Sequence, residues 1–425
     1  MLVASNMVGS GIFLLPATLA AVGSITTLGW IFATAGALVM ARIFGRLARH
    51  APLAGGPISY ATVALGPFMG FQATAIYWFS LWMGNIAIAI AAIGYLAEFF
   101  PRLAGPSAAA GGAIGLIWLL GAVNIWGPRR VCQLESAAFF CGLVPIVMVI
   151  GGGIFYFHPA LFAAAWNVTG QPAYRALPPS LVLMFWAFAG IESASIATAV
   201  VRDPERNVAR ATYYGVIIAA LIYVVSCSII LGLMPAGELA RSTAPFADAI
   251  RIAFGPWAAA LVGVMALAKV IGSLGGWILL TLETGAAGAE QGLFPRMFGR
   301  RNRAGIPVAN LLVVEVVMSV GVVATISPTL GRQFGDLISV SVMLSLLLYI
   351  YACLAIWHYA AEAPGQFAHD RTYAFVGILF CLAILLLSGT QLLGWTAAVV
   401  FITFPFYPLC RGGKRLNSLA SGQHD

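Results

Sequence analysis

A glycine–serine–glycine interruption near the start of the chain has the composition of a carboxylate-binding site. Residues 6–13 read NMVGSGIF, an apolar stretch with the interruption at its centre. Glycines in a membrane-spanning helix free backbone N–H groups that lipid cannot satisfy, so such a break is tolerated only inside protein or beside a water-filled cavity. The N–H groups at Ser10 and Gly11 are expected to lie at the positive end of the following half-helix. That end favours an anion.

A second apolar stretch carries a comparable interruption. Residues 186–195 read WAFAGIESAS, with a glycine, an acid and two serines at the centre. Carbonyl oxygens freed near Trp186 and Ala189 can accept an ammonium group. Together the two breaks predict a receptor for the head group of an α-amino acid, or for one amine of a polyamine. The alternative is that Gly190 only lets two helices pack closely, and the matching break at Gly9 favours the receptor.

Aromatic and polar residues in two other apolar stretches can hold the rest of such a molecule. Tyr77, Ser80 and Asn85 share one stretch, and Trp277 follows the small residues 272–276. A tryptophan face in a water-free cavity attracts an ammonium or guanidinium group by roughly 2 kcal/mol or more. A single membrane tryptophan more often packs or anchors at the interface. Trp186 and Trp277 lie in mid-span beside glycine, which favours the site.

Charged residues inside the apolar stretches are few, and each is a functional candidate. Glu192, just beyond the second break, is a candidate carboxyl for sensing or carrying a proton, and its alternative role is a structural tie between helices. Lys269 is either a second proton-dependent charge, in the outer half of the cavity, or the buried partner of a carboxylate. The sequence favours neither. Glu283 and Glu315 are weaker candidates.

The elements that position these residues must be membrane helices. The chain of 425 residues is 61% hydrophobic and 8% charged, with a mean hydropathy of +0.95, whereas soluble domains carry about 25% charged residues. We predict an all-α membrane protein of twelve transmembrane helices in a single domain, residues 1–425. The predicted spans lie near 1–23, 25–47, 68–100, 110–126, 132–156, 179–200, 211–235, 256–286, 307–327, 335–358, 372–389 and 392–410.

Basic residues predict how the helices are oriented. With both termini cytoplasmic, sixteen of the 22 arginines and lysines fall in inside loops, five fall in outside loops and Lys269 lies within a span, as the positive-inside rule favours. Breaks in the first and sixth spans predict a five-plus-five inverted repeat, with helices 11 and 12 peripheral. Only eight residues precede Gly9, about 12 Å of helix. The true start codon is therefore expected upstream, or the chain is a truncated product.

Other functional classes are disfavoured. The net charge of +8 lies in short loops between apolar spans, so we expect no nucleic-acid partner. The six cysteines lack paired spacing and are interpreted as reduced. The five histidines form no metal pattern and there is no Walker loop, so we expect no metal, no cofactor, no enzymatic activity and no ATP-driven pumping.

Several segments carry a family resemblance. They are residues 9–16 (GSGIFLLP), 55–57 (GGP), 186–194, 203–208 (DPERNV) and 272–277 (GSLGGW). The chain resembles the basic amino acid/polyamine antiporters of the amino acid–polyamine–organocation superfamily. The likeness covers essentially the whole chain and is strongest to bacterial arginine/agmatine antiporters, followed by lysine/cadaverine and ornithine/putrescine exchangers.

The resemblance implies a leucine-transporter-like fold with broken helices 1 and 6, usually a homodimer in the lipid of the bacterial inner membrane. It implies exchange of arginine, lysine or ornithine for its decarboxylated amine by alternating access. It also implies residue roles. Ser10 and Gly11 would bind the carboxylate, Asn6 would lie near the substrate, and the carbonyls of Met7, Trp186 and Ala189 would hold the amino group. The expected side-chain subsite comprises Ser80, Leu81, Asn85, Ile88, Trp277 and Ser341. The expected gating residues are Tyr77, Trp186, Trp277 and Tyr349, and the proton-sensing candidates are Glu192 and Lys269.

Some positions depart from the arginine-specific pattern. That pattern has a bulkier aliphatic residue where Ala189 stands, a methionine at Ile88 and a cysteine at Leu81, and it is uncharged at Lys269 and Glu315. A fixed cation near the cavity would repel a dicationic amine, which argues against arginine/agmatine exchange. The alternative functions are a proton-coupled amino acid importer and, from another class, a membrane sensor or channel. The short inside loops argue against the sensor.

Overall fold

The structure, a computed structural model, describes residues 7, 9–50, 56–192, 204–362, 364–367 and 369–410. In this part of the chain every regular element is a helix. The principal helices are α1 Ser10–Ala20, α2 Thr26–His50, α3 Pro57–Leu65, α4 Pro67–Ala97, α5 Pro106–Ile125, α6 Pro128–Val147, α7 Pro178–Trp186, α8 Pro204–Leu233, α9 Pro245–Glu290, α10 Val308–Ala324, α11 Leu330–Glu362, α12 Asp370–Leu387 and α13 Thr390–Thr403.

Short helical segments connect or extend these helices. Helix α6 continues through π-helical residues Met148–Gly152 and a 3-10 turn at Gly153–Tyr156. The remaining short segments are Pro101–Ala104, Pro159–Ala164, Ala173–Ala176, Ala236–Leu239, Arg296–Gly299, Pro364–Phe367, Phe404–Phe406 and Tyr407–Cys410.

Eight helical segments in the described residues have the length and hydropathy to cross a membrane. They are Thr26–Arg49, Pro67–Ala97, Pro106–Ile125, Pro128–Tyr156, Ala209–Leu233, Pro245–Glu290, Leu330–Ala361 and Asp370–Leu387. Shorter apolar helices occupy Gly11–Ala20, Val308–Ala324 and Thr390–Phe406. The architecture is that of an all-α, multi-pass membrane protein, whereas the count of twelve spans and the inverted repeat remain predictions.

Proline and glycine set many of the helix boundaries. Prolines occupy the first position of helices such as α3, α4 and α6, where the missing N–H has no helical partner to lose. Gly66, at φ 91°, separates α3 from α4 in a conformation that residues with a Cβ rarely adopt. In the long helix α9, Gly255 at φ 81° followed by Pro256 divides a short first part from the membrane-spanning remainder.

Helix α4 is at the centre of the bundle. It packs against α9 and α11 and also contacts α1. Of the 18-residue stretch of α4 with the highest hydropathy, 89% is buried. Around this centre α9 packs on α6, α2 packs on α8, and α12 packs on α11. A helix that is apolar on all sides and buried has no lipid-facing stripe, so its polar residues can only face other helices. Helix α4 carries Tyr77, Ser80 and Asn85 into that position.

Candidate functional site

Two helix ends face the centre of the bundle. Helix α1 begins at Ser10, directly after Gly9, whose φ of −103° and ψ of −143° are not helical. The first N–H groups of a helix have no partner within it, so this end supplies donors as the sequence predicts. Asn6 lies outside the described residues, and the structure describes no side-chain position for Ser10.

The second helix end is at the other predicted break. Helix α7 ends at Trp186 and the chain continues through turns to Glu192. The N–H groups of Phe188 and Ala189 donate to carbonyls three residues earlier, and Gly190 adopts φ 99°. The carbonyl of Trp186 accepts from Ala189 N–H at 3.0 Å, which leaves one lone pair for another donor. A helix end therefore stands where the sequence predicts freed carbonyls.

The indole of Trp186 lies between helices α1, α4 and α9. Its ring faces that of Trp277, with centroids 6.0 Å apart and planes inclined by 32°. A Cβ on Gly11 would lie 3.0 Å from Trp186 Cδ1, and one on Gly84 would lie 2.7 Å from Trp186 Cη2. The two glycines make room for opposite ends of the ring. Trp186 is 5% exposed and Trp277 6%, so this conformation keeps both rings from solvent.

Serine hydroxyls join α4 to α11 beside the tryptophans. Ser80 Oγ lies 3.1 Å from Ser341 Oγ and 2.7 Å from Ser345 Oγ, and Ser341 Oγ donates to the carbonyl of Ser80 at 2.7 Å. All three serines are buried. The structure thus brings together the predicted pair Ser80 and Ser341, and it adds Ser345. The sequence signal for Ser345 is its position one helical turn after Ser341.

Asn85 connects α4 to the tryptophan helix. Its Nδ2 donates to Thr281 Oγ1 at 2.9 Å, and that hydroxyl donates to the carbonyl of Trp277 at 2.8 Å. Asn85 Oδ1 is buried and has no hydrogen-bond partner among the residues that the structure describes. An orphaned buried acceptor carries a desolvation cost, and an ammonium group can satisfy it. Sequence analysis missed Thr281, although it stands one turn after Trp277.

Two other residues of the predicted side-chain subsite, and the residue predicted to offer a carbonyl beside Trp186, are apolar. Leu81 and Ile88 are fully buried on α4, and Ala189 is half-buried in the turn after α7. Their contribution to a site here is shape and the exclusion of water.

Two tyrosines converge on Glu192. Tyr77 Oη donates to Glu192 Oε1 at 2.8 Å, and Tyr349 Oη donates to Oε2 at 2.5 Å. All three side chains are buried. The predicted gating tyrosines and the predicted proton-sensing carboxyl therefore form one cluster that joins α4 and α11 to the turn after α7.

The carbonyl of Met7 is already occupied in this conformation. It accepts the Gly9 N–H at 2.6 Å and also a short hydrogen bond from the Tyr223 hydroxyl of α8. A carbonyl oxygen has two lone pairs, so an amino group can reach Met7 only by displacing one of these donors. Sequence analysis did not identify Tyr223, because nothing in its apolar stretch points to a backbone acceptor so distant in sequence.

Lys269 faces helix α6 rather than the tryptophans. Its side chain lies against Gly142, where a Cβ would come within 2.6 Å of Lys269 Cγ, and its ammonium lies 5.8 Å from the centroid of Phe139. Glu135, also on α6, acts electrostatically on the lysine. Of the two roles left open by the sequence, the electrostatic effect of Glu135 is compatible with the partner of a carboxylate. Sequence analysis did not identify Glu135.

A further acid lies between α10 and α5. Glu315 is 2% exposed, and within the described part of the chain its Oε1 has no hydrogen-bond partner. A Cβ on Gly121 would lie 1.3 Å from this oxygen. Glu283, in contrast, forms an ion pair with Arg301 at 2.9 Å near the end of α9. The structure therefore separates both acids from the tryptophan site.

Comparison with known proteins identifies relatives along nearly the whole chain. A family model described as "Amino acid permease" matches residues 1–409. The cadaverine/lysine antiporter of Escherichia coli (strain K12) is 35% identical over 410 residues, 95% of this chain and 92% of the relative. The putrescine transporter PotE of the same strain is 34% identical, covering 95% and 93%. Its namesake from Haemophilus influenzae is 31% identical, again covering 95% and 93%.

Proposed function

We propose that this chain, which belongs to the amino acid permease family, exchanges a cationic amino acid for its decarboxylated amine by alternating access. The amino acid would be lysine, ornithine or arginine. The family consists of transporters rather than enzymes, and the names of the relatives include a cadaverine/lysine antiporter. That name favours exchange over proton-coupled import.

One observation carries this proposal. Two tryptophan rings face each other 6.0 Å apart between a helix N-terminus and a helix C-terminus. The N-terminus of α1 suits a carboxylate, the end of α7 supplies a carbonyl for an amine, and the rings suit a distal cation. A lysine-like molecule has these three groups in this order.

Trp186 is the mobile wall of this site in our proposal. Its ring fills the space between Gly11 and Gly84 and contacts Trp277, so an incoming side chain must displace it or stack on it. Asn85 Oδ1 lies in the same region. It has no hydrogen-bond partner among the described residues and can accept from the distal ammonium. Ser80 and Ser341 supply hydroxyls beside it.

The Glu192 cluster is the proposed proton-responsive gate. The carboxyl accepts from tyrosines on two helices, so a change in its protonation alters both links at once. Glu192 lies directly after the turn that carries Trp186 and Ala189. Proton binding there is thereby connected to the substrate-binding backbone.

The position of Lys269 bears on substrate charge. Its ammonium lies against α6, where Glu135 acts on it electrostatically, so the repulsion expected from a fixed cation beside the substrate is reduced. Dicationic amines such as cadaverine, putrescine and agmatine are therefore compatible with the site.

The proposed setting is the bacterial inner membrane. Twelve spans with both termini cytoplasmic satisfy the distribution of arginine and lysine. We further propose five-plus-five inverted repeats with broken helices 1 and 6, peripheral helices 11 and 12, and a homodimer.

Counterflow in proteoliposomes tests the function. Vesicles containing the full chain are loaded with cadaverine, putrescine, agmatine or buffer, and the uptake of labelled lysine, ornithine or arginine is measured. We expect one cognate internal amine to accelerate uptake, Trp277→Leu to abolish the acceleration, and the exposed Trp395→Leu on α13 to retain it. Uptake that is equal with and without every internal amine contradicts exchange.

A further inference from the structure

A cavity of about 580 Å³ lies outside the tryptophan site, where helix α2 ends and helices α8 and α12 begin. Four of its lining residues are arginines: Arg42, Arg46 and Arg49 from α2, and Arg210 from α8. None of its described lining residues is acidic. The cavity therefore concentrates guanidinium groups at one end of the helix bundle.

The three arginines of α2 project from one face of the helix, because they stand four and three residues apart. Asp370, at the start of α12, orients two of them. Its Oδ1 accepts from Arg42 at 3.2 Å and its Oδ2 from Arg46 at 2.6 Å. One carboxylate, 3% exposed, thus holds two guanidinium groups at the wall.

Aromatic and aliphatic residues complete the lining. The Arg42 guanidinium lies 4.1 Å from the centroid of the Tyr373 ring, and Tyr213 and Tyr214 are 46% and 60% exposed. Leu38 and Val39 line the cavity one turn further into α2, toward the apolar middle of that helix. The cavity is therefore basic and aromatic at the helix ends and apolar toward the membrane interior.

Close helix packing shapes one wall. A Cβ on Gly45 would lie 3.0 Å from the Cβ of Ala209, so α2 and α8 approach closely at that level. Both residues line the cavity. The approach fixes Arg46 and Arg49 on one side of the cavity relative to Arg210 on the other.

The surrounding sequence has an excess of positive charge. Residues 38–50, 202–210 and 369–373 together contain seven arginines and three acidic residues. Interfacial arginines occur at the inner ends of most membrane helices, so this excess alone does not define a site. The concave volume, the stacked tyrosine and the apolar extension distinguish this cavity from an ordinary basic loop.

We propose that this cavity binds the phosphodiester head group of an anionic phospholipid of the phosphatidylglycerol class. Guanidinium groups match phosphate oxygens with paired N–H donors, and basic pockets between transmembrane helices at the cytoplasmic side suit such head groups. The lipid's acyl chain would lie along Leu38 and Val39, and the interfacial tyrosines would contact the glycerol region.

The first test uses the unaltered full chain. Native mass spectrometry of the purified protein is carried out after incubation with phosphatidylglycerol or with phosphatidylcholine of equal acyl composition. We expect preferential retention of phosphatidylglycerol. Equal retention of the two lipids overturns the proposal without reference to any variant.

The second test locates the binding. Arg49→Gln/Arg210→Gln removes two guanidinium groups from the cavity. The attraction of each basic side chain to an anionic lipid head group, summed over two arginines, predicts a loss of phosphatidylglycerol retention of about 30-fold. Arg129→Gln/Arg130→Gln removes the same charge from exposed positions at the start of α6, on the same predicted side of the membrane. Equal losses in the two double variants indicate surface attraction and overturn the cavity assignment.

The third test separates lipid from soluble phosphate. Glycerol 3-phosphate and inorganic phosphate, at millimolar concentration, are added as competitors to the phosphatidylglycerol complex. We expect no displacement, because a soluble anion lacks the acyl chain. Complete displacement by either anion assigns the cavity to soluble phosphate and overturns the lipid proposal.

Discussion

Tyr349 Oη lies 2.5 Å from Glu192 Oε2, while the other carboxyl oxygen accepts from Tyr77. The two tyrosines come from α11 and α4, and the acid follows the turn beyond α7. Three separate parts of the bundle therefore meet at one carboxyl group. Such a group can respond to protonation by changing how these parts are held together.

The carboxyl of Glu192 is expected to set the pH dependence of exchange. Glu192→Gln keeps the shape of the side chain and removes the titration, so the exchange rate between pH 5.5 and 8 should become nearly constant. Initial exchange rates in proteoliposomes measure this. Glu283→Gln, which alters an acid paired with Arg301 away from the site, should keep the original pH profile. An unchanged profile in Glu192→Gln contradicts the proposed role.

Gly84→Ala is expected to weaken substrate binding. The new Cβ would lie 2.7 Å from Trp186 Cη2 and must displace the ring. Overpacking of this kind costs typically 1–3 kcal/mol, which corresponds to about 5- to 150-fold in affinity. The measurement is substrate affinity in detergent by tryptophan fluorescence. The matched control is Gly115→Ala on α5, where a Cβ meets nothing within 4 Å and affinity should not change.

Thr281→Val is expected to reduce affinity for the distal amine. The substitution leaves Asn85 Nδ2 without its acceptor, so the amide loses the hydrogen bond that orients Oδ1 for the distal ammonium. Loss of one buried hydrogen bond costs about 1–3 kcal/mol. Competition binding with cadaverine and putrescine measures the effect. Thr284→Val, whose hydroxyl only donates to the carbonyl of Leu280, is the control on the same helix. Equal affinities in the two variants exclude a role for the Asn85–Thr281 contact.

Lys269 and Glu135 are expected to stabilise the bundle as a pair. Lys269 is fully buried but Glu135 is half-buried, so the cost of removing one partner should be smaller than the roughly 3–5 kcal/mol typical of fully buried pairs. Lys269→Met and Glu135→Gln should each lower thermal stability, and the double variant should recover most of the loss. Unfolding in detergent, followed by light scattering, gives the double-mutant cycle. Additive losses show that the residues do not interact. Since Lys269 faces α6, the order of substrate preference should be the same in Lys269→Met.

The two helix ends of the candidate site could be predicted from the sequence because each depends on a short stretch of neighbouring residues. The helix start at Ser10 and the helix end at Trp186 follow from nearby glycines, Gly9 before the first and Gly190 after the second. The family relationship, which the comparisons confirm, was likewise contained in short motifs. The residue roles within the site remain predictions.

Contacts between distant helices were beyond the sequence. Glu135 acts electrostatically on Lys269 across more than a hundred residues of sequence, and the Tyr223 hydroxyl donates to the carbonyl of Met7 across 216. Neither pairing has a local spacing signal, because it depends on which helix faces which. Lys269 is an example. It shares its helix with Trp277, but its side chain points to α6.

The contact between Gly121 and Glu315 constrains how this protein can evolve. A Cβ on Gly121 would lie 1.3 Å from the acid's Oε1, so a side chain at position 121 requires the Glu315 carboxylate, the far end of a flexible side chain, to move. The cost of a substitution at 121 therefore depends on which residue stands at 315. Their effects on fitness are expected to be epistatic even though neither residue touches the tryptophan site.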